Sequence, residues 1–233
     1  MIKVIEYNNL GGADHGWLKA KHHFSFASYQ DPNRVRFGPM RVVNDDIVAP
    51  KKGFDPHAHD NMEIITYVRK GAITHKDDMG NEGRTEAGDV QVMSAGTGVV
   101  HSEYNLENED TNLYQIWMFP NKKNVKPRWD AKQFPKEPVE GKLKPLVTGF
   151  ENKIDDTLKI YQDTAIYAGR VNKGKSVKQS IDRDQAYVLC SQGKIKINNT
   201  EIRKGDGAEI TDLKDVNITS LEDSEILFID LPR

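Results

Sequence analysis

Two short clusters, His57-Ala58-His59 and His101-Ser102-Glu103, hold the residues best placed to do chemistry. On a β-strand, residues i and i+2 face the same side. Each cluster therefore aims two donor side chains into one space, and two neighbouring strands would gather three imidazoles and one carboxylate. Such a set, without thiolate, suits Fe(II), Mn(II), Co(II), Ni(II), Cu(II) or Zn(II) and argues against a thiolate-rich structural zinc site. Four protein ligands would leave two positions open on an octahedral ion, as reaction with a substrate or dioxygen requires. The plainer reading is surface or core decoration. It is weakened by the second pair, which follows the Gly96-Thr97-Gly98 turn, and by the cost of burying converging ionisable groups without a counter-ion.

The elements that must position these residues read as strands. Apolar runs are short and rich in β-branched or aromatic residues, as in Ile64-Ile65-Thr66-Tyr67-Val68, Val90-Gln91-Val92-Met93, Tyr114-Gln115-Ile116-Trp117-Met118-Phe119 and Ile226-Leu227-Phe228-Ile229. Gly, Asn or Asp breaks them every ten residues or so, a pattern that predicts an all-β sandwich or barrel. No long amphipathic helix is evident. Asp77-Asp78-Met79-Gly80-Asn81 reads as a hairpin tip.

The two halves resemble one another. Tyr67-Val68 precedes Gly71, Ile73 and Gly88-Asp89, and Tyr187-Val188 precedes Gly193, Ile195 and Gly205-Asp206. This suggests a duplicated β-barrel. Between the halves, five of the ten prolines fall from Pro120 to Pro145, interleaved with lysines. Proline removes backbone donors, and so much charge resists burial, so a surface linker is expected there. The predicted organisation is a metal-binding barrel over 1–131, a linker over 132–145 and a second barrel over 146–233. Counting back from Tyr187 as the first histidines precede Tyr67 lands on Val177 and Gln179. No histidine follows His101, so the second barrel is expected to lack the site and to serve a structural role.

The 233 residues are 37% hydrophobic and 29% charged, with formal net charge -2 and pI near 6.4. Nothing in that balance predicts attraction to nucleic acid. A single cysteine, Cys190, excludes an internal disulfide and suits a reducing compartment. With no signal-peptide pattern and no apolar run of about 20 residues, no membrane association and a cytoplasmic location are expected. A monomer is expected, two fused barrels covering each other.

Gly53, His57-Ala58-His59, Glu63 and Gly71 resemble the first cupin motif, and Gly88, Gly98, His101 and Asn105 the second. More narrowly, Met93 to Glu103 resembles the signature of the pirin family. Asp14-His15-Gly16-Trp17 and His23-Phe24-Ser25-Phe26 are similar to bacterial pirin-like proteins described as quercetin 2,3-dioxygenases, and the likeness runs to Phe228-Ile229-Asp230-Leu231-Pro232. The resemblance implies a bicupin of two double-stranded β-helix barrels with one metal, Fe(II) first among the candidates, held by His57, His59, His101 and Glu103. Many cupins use the first-motif glutamate, here Glu63. Pirin-like proteins use the position of Glu103, which shares a strand face with His101.

The implied reaction is cleavage of a flavonol by dioxygen with release of carbon monoxide, Glu103 being the base that takes the substrate's hydroxyl proton. Phe24, Phe26, Met93, Trp117 and Phe119 are candidates for an apolar mouth, although a core position is the commoner fate of each. His15, His22, His23 and His75 are candidates for the entrance or for hydrogen bonds to a ligand. The family also includes a metal-dependent regulator of transcription factors, so a redox sensor acting through a protein partner is the alternative. Gly169 to Ser176 matches the Walker A pattern, but no helical stripe follows to hold phosphates.

Overall fold

The computed structural model describes all residues, Met1–Arg233. In chain order its strands are β1 (Ile2–Ile5), β2 (Gly11–Asp14), β3 (Leu18–His22), β4 (Met40–Val48), β5 (Gly53–His59), β6 (Glu63–Lys70), β7 (Ala72–Asp77) and β8 (Glu82–Glu86). Next come β9 (Val90–Ser94), β10 (Val99–Tyr104), β11 (Thr111–Met118), β12 (Arg128–Lys132), β13 (Lys144–Gly149), β14 (Leu158–Ile160) and β15 (Ala165–Val171). The last are β16 (Ser176–Ser180), β17 (Gln185–Gln192), β18 (Lys194–Ile197), β19 (Thr200–Arg203), β20 (Gly207–Thr211), β21 (Asp215–Ser220) and β22 (Ser224–Leu231). The helical content is one 3-10 turn, Tyr7–Asn9, and no helix is long and apolar enough to cross a membrane. The Asp77 to Asn81 segment is the expected turn, joining β7 to β8.

The chain forms two compact units. One holds Gly11–Pro135 with Leu158–Gln162, the other Met1–Leu10, Lys136–Thr157 and Asp163–Arg233. In the first, a sheet ordered β12-β9-β6-β11-β4-β3-β2 is accompanied by a smaller one ordered β5-β10-β7-β8. The second unit repeats both orders, as β1-β20-β17-β22-β15-β13 and β16-β21-β18-β19. The fold is a bicupin, and the duplication extends to strand order. Its register differs from the sequence match. Gly88 N–H donates to Val68 and Gly205 N–H to Cys190, so Cys190, not Val188, is the counterpart of Val68. The slip is two residues, which keeps every side chain on its face.

Met1–Leu10 and Leu158–Gln162 fall in the opposite unit to the one expected, and residues 136–145 of the expected linker belong to the second unit. Ile2–Ile5 pairs with β20 in the second unit, a partner that its own residues do not indicate. Within the Pro- and Lys-rich stretch, β12 pairs with β9 and closes the expected barrel. Pro127 and Pro135 flank this strand, and β12 is a sheet edge, where proline is tolerated. Farther on, Val139 and Leu143 enter the second unit's core beside Phe228. The scattered apolar residues of this region are anchors, and its lysines occupy the positions between them.

One ion pair is buried within the first unit's large sheet. Arg69 donates from Nη1 and Nη2 to the two Asp45 oxygens at 3.0 and 2.8 Å, and its guanidinium lies 4.3 Å from the Tyr114 ring centroid. The side chains are 9% and 5% exposed. The fork geometry and the aromatic face explain why arginine occupies this position.

Candidate metal centre

Strands β5 and β10 pair antiparallel with His57 opposite His101 and His59 opposite Val99. The register shifts between His101 and Glu103, because Asp55 and Pro56 together face Ser102. Proline has no N–H for a ladder and suits such a bulge. The bulge leaves the Asp55 carbonyl 2.7 Å from His57 Nδ1, which donates to it. His57 thus keeps a proton on Nδ1 and turns Nε2 toward His101.

Two glycines permit this geometry. A Cβ on Gly53 would lie 2.2 Å from the Glu103 carbonyl oxygen. Gly98, at φ +129, makes the turn from β9 into β10.

Ligand atoms of His57, His59 and His101 lie within 4.8 Å of one another. His57 Nε2 and His101 Nε2 are 3.1 Å apart, close to the roughly 3 Å separation of adjacent nitrogens bound at about 2.1 Å. His59 Nε2 is buried without a hydrogen-bond partner. Burial, reinforced by neighbouring imidazoles, pushes His59 down to about 4 and His101 down to about 3. At neutral pH these two rings are uncharged, as ligands must be. The orphaned His59 nitrogen costs free energy unless a donor or a cation meets it. The triad therefore fits a divalent metal.

Glu103 lies on β10 in line with His101 and is 1% exposed. The opposing sheet addresses it with a row of polar residues. Gln91, Thr66, Gln115, Asn44 and His22 sit opposite one another across β9, β6, β11, β4 and β3. Gln91 Nε2 donates to Glu103 Oε1 at 2.7 Å and Thr66 Oγ1 at 3.3 Å, while Gln115 Nε2 donates to Oε2. Thr85 Oγ1 occupies the Gln91 carbonyl and Trp117 Nε1 the Gln115 carbonyl, each at 3.0 Å. Both amides must then turn their NH2 groups toward Glu103, which acts purely as an acceptor. Burial nevertheless raises its pKa.

Like Glu103, Glu63 contributes none of the converging ligand atoms, which belong to the three histidines. Its Oε2 accepts from Ser94 Oγ at 2.7 Å and Tyr161 N–H at 3.1 Å, and burial pushes it up to about 7.

A cavity of about 910 Å³ opens beside His57. Trp17, Phe26, Phe54 and Trp117 supply aromatic wall, and His22, Asn44, Asp46 and Gln115 supply polar groups. Asp46 Oδ1 is buried without a partner. Burial, with Asp45 and Glu103 nearby, raises its pKa well above the usual range.

Of the candidates for an apolar mouth, Phe26 and Trp117 line this cavity. Phe24 is buried, Met93 packs with Ile64, Ala95 and Val99, and Phe119 is exposed. Of the other histidines, His15 and His22 line the cavity, His75 lies against His101 and His23 is fully buried.

The second barrel answers each position with a different residue. Gln179 faces Val216, where the first has His57 facing His101. Ile197 takes the place of His75, and Ile218, which faces it, that of Glu103. Val188, Ala208 and Phe228 replace Thr66, Gln91 and Gln115. Most of these belong to one apolar cluster, so packed hydrocarbon fills the space that the first barrel gives to the site. The Walker-like run is the β15–β16 turn, followed by strand instead of helix.

Fold and site together define a bicupin with a histidine-rich centre in the first of its barrels. The chain matches the Pirin family model over residues 4–118 and the model described as quercetinase C-terminal cupin domain over 150–231. It belongs to the pirin family. Over 231 residues it is 48% identical to a pirin-like protein of Caulobacter vibrioides, covering 99% of each chain. It is 40% identical over 234 residues to the quercetin 2,3-dioxygenase of Escherichia coli K12, covering 100% of this chain and 99% of that one. The crystal structure of the E. coli pirin YhhW in complex with nickel(II) superposes with a TM-score of 0.92 at 37% identity, covering 100% of this chain and 99% of that one.

Proposed function

We propose that the chain is a metal-dependent dioxygenase that cleaves flavonols such as quercetin, with His57, His59, His101 and Glu103 holding one divalent ion. The observation that carries this reading is the convergence of three histidine side chains beside a cavity walled by aromatic rings. Similarity to a relative named quercetin 2,3-dioxygenase supports the substrate class. Iron(II) is the proposed resident metal. The donor set also accepts nickel, which the similar E. coli protein binds.

The ion would supply Lewis acidity and a template for the substrate's hydroxyl and carbonyl oxygens and for dioxygen. The chain's own residues do the rest. Trp17 and Phe54 meet edge to face at 5.3 Å, as do Phe26 and Trp117 at 5.5 Å, giving planar surfaces for a flat aromatic molecule. Glu103, held by Gln91, Gln115 and Thr66, is placed to accept the hydroxyl proton. Its raised pKa brings it closer to that task than an exposed carboxylate would be. Asp46 offers the substrate a hydrogen-bonding oxygen that no protein group occupies.

The test is carbon monoxide release and oxygen uptake with quercetin, for wild type and His59→Ala loaded in turn with Fe(II), Ni(II) and Co(II). Turnover by wild type and its loss in His59→Ala is the expected result. Equal turnover by both, or none by wild type with any of the metals, would sink the dioxygenase reading and favour the redox-sensing regulator.

A further inference from the structure

Behind His101, on the side away from His57, lies a second histidine that the proposed chemistry does not use. His75 is 1% exposed. Its ring stacks on Trp129 at 4.9 Å and 7°, which fixes its plane. Its Nδ1 lies 3.3 Å from His101 Nδ1, and its Nε2 lies 3.1 Å from Asp77 Oδ2. Asp77 anchors the turn after β7. Its Oδ1 accepts from Met79 N–H at 3.0 Å and Asn81 N–H at 2.9 Å, and its Oδ2 accepts from Asn81 Nδ2 at 2.8 Å.

The direction of each hydrogen bond follows from this end. A carboxylate can only accept, so the proton shared with Asp77 belongs to His75 Nε2. A neutral His75 then has a lone pair on Nδ1. The His101 Nδ1 facing it must carry the proton, which leaves His101 Nε2 bare. That atom is the one 3.1 Å from His57 Nε2.

We propose that Asp77 and His75 are positioning residues that select the metal-binding tautomer of His101 through the chain Asp77–His75–His101. The proposal rests on the reading of His57, His59 and His101 as metal ligands. It assigns a function to the hairpin turn as well: the backbone N–H groups that hold Asp77 also set the proton inventory of the site. His57 is served more simply, by the Asp55 carbonyl. Partners of this kind orient ligating imidazoles generally, and their loss costs about 10–100-fold in metal affinity.

Asp77→Asn is the informative change. Asparagine keeps an oxygen for the turn but turns an NH2 group toward His75 Nε2. His75 must then carry its proton on Nδ1, opposite the His101 Nδ1–H, and His101 is pushed to the tautomer that cannot ligate through Nε2. The same logic governs the carboxylate-to-amide change in a serine protease triad.

Ni(II) and Zn(II) affinities should be measured by titration against a competing chelator for wild type, Asp77→Asn and His75→Phe, the last keeping an aromatic ring on Trp129. Side-chain nitrogen-15 spectra of the Zn(II)-loaded wild type read the tautomers directly. Expected are a His75 protonated on Nε2, a His101 protonated on Nδ1, and affinities lowered about 10–100-fold in both variants, whose folding is confirmed by thermal unfolding. A His75 protonated on Nδ1, or wild-type affinity in folded Asp77→Asn, would overturn the proposal while leaving the metal site standing. Failure of wild type to take up either ion would instead remove the ligand reading on which it depends.

Discussion

Glu103→Gln is expected to lower quercetin turnover by about 10²–10⁴-fold, the range typical for loss of a general base, while the three histidines remain. Glutamine has the shape of glutamate but cannot take a proton from a hydroxyl group at neutral pH. Its NH2 would also meet a donor, since the Gln91 and Gln115 amides are locked with their NH2 groups toward this position by Thr85 and Trp117. That mismatch should cost about 1–3 kcal/mol of stability. Rate and stability are therefore measured together. A large rate loss in a protein still folded at the assay temperature supports the base role. Wild-type turnover in Glu103→Gln would assign Glu103 to structure alone.

Arg69→Met should destabilise the first barrel by about 3–5 kcal/mol, because it leaves the 5%-exposed Asp45 without its guanidinium. For a chain of this size that is a fall in unfolding temperature of order 10 °C. Arg69→Met combined with Asp45→Leu should regain most of the loss, since matched apolar groups need no counter-charge. The thermal unfolding of the two variants distinguishes the cases. If the double variant is as unstable as the single one, packing against Tyr114 and not charge is what Arg69 contributes.

Much of the centre was legible because a strand's period of two is so simple. His57 and His59, and His101 and Glu103, could be assigned to shared faces from spacing alone, and the structure brings the three histidines together. The absence of a second site was equally plain once no histidine followed His101. Less visible was the polar row. Thr66, Gln91 and Gln115 each interrupt an apolar run, and only the register of three strands reveals that they stand side by side facing Glu103. His75 and Asp77 were harder still, since the hairpin reading accounted for Asp77 and no local pattern ties His75 to a residue 26 positions away.

At the scale of the fold, apolar runs and turn residues identified strands well but partners poorly. Ile2–Ile5 forms a strand, yet nothing in those four residues indicates pairing with Gly207–Ile210. Trp129 and Val139 were hidden by the prolines and lysines around them. Average composition masked apolar residues spaced widely enough to anchor a connecting segment in a core.

The claim on which the rest depends is that His57, His59 and His101 hold one metal ion. Elemental analysis of purified protein, alongside titration with Ni(II), addresses it most directly. One ion per chain in wild type, and loss of stoichiometric binding in a folded His57→Ala/His101→Ala protein, is the predicted result. Undiminished binding in that variant, or a wild type that takes up no metal while correctly folded, would contradict it.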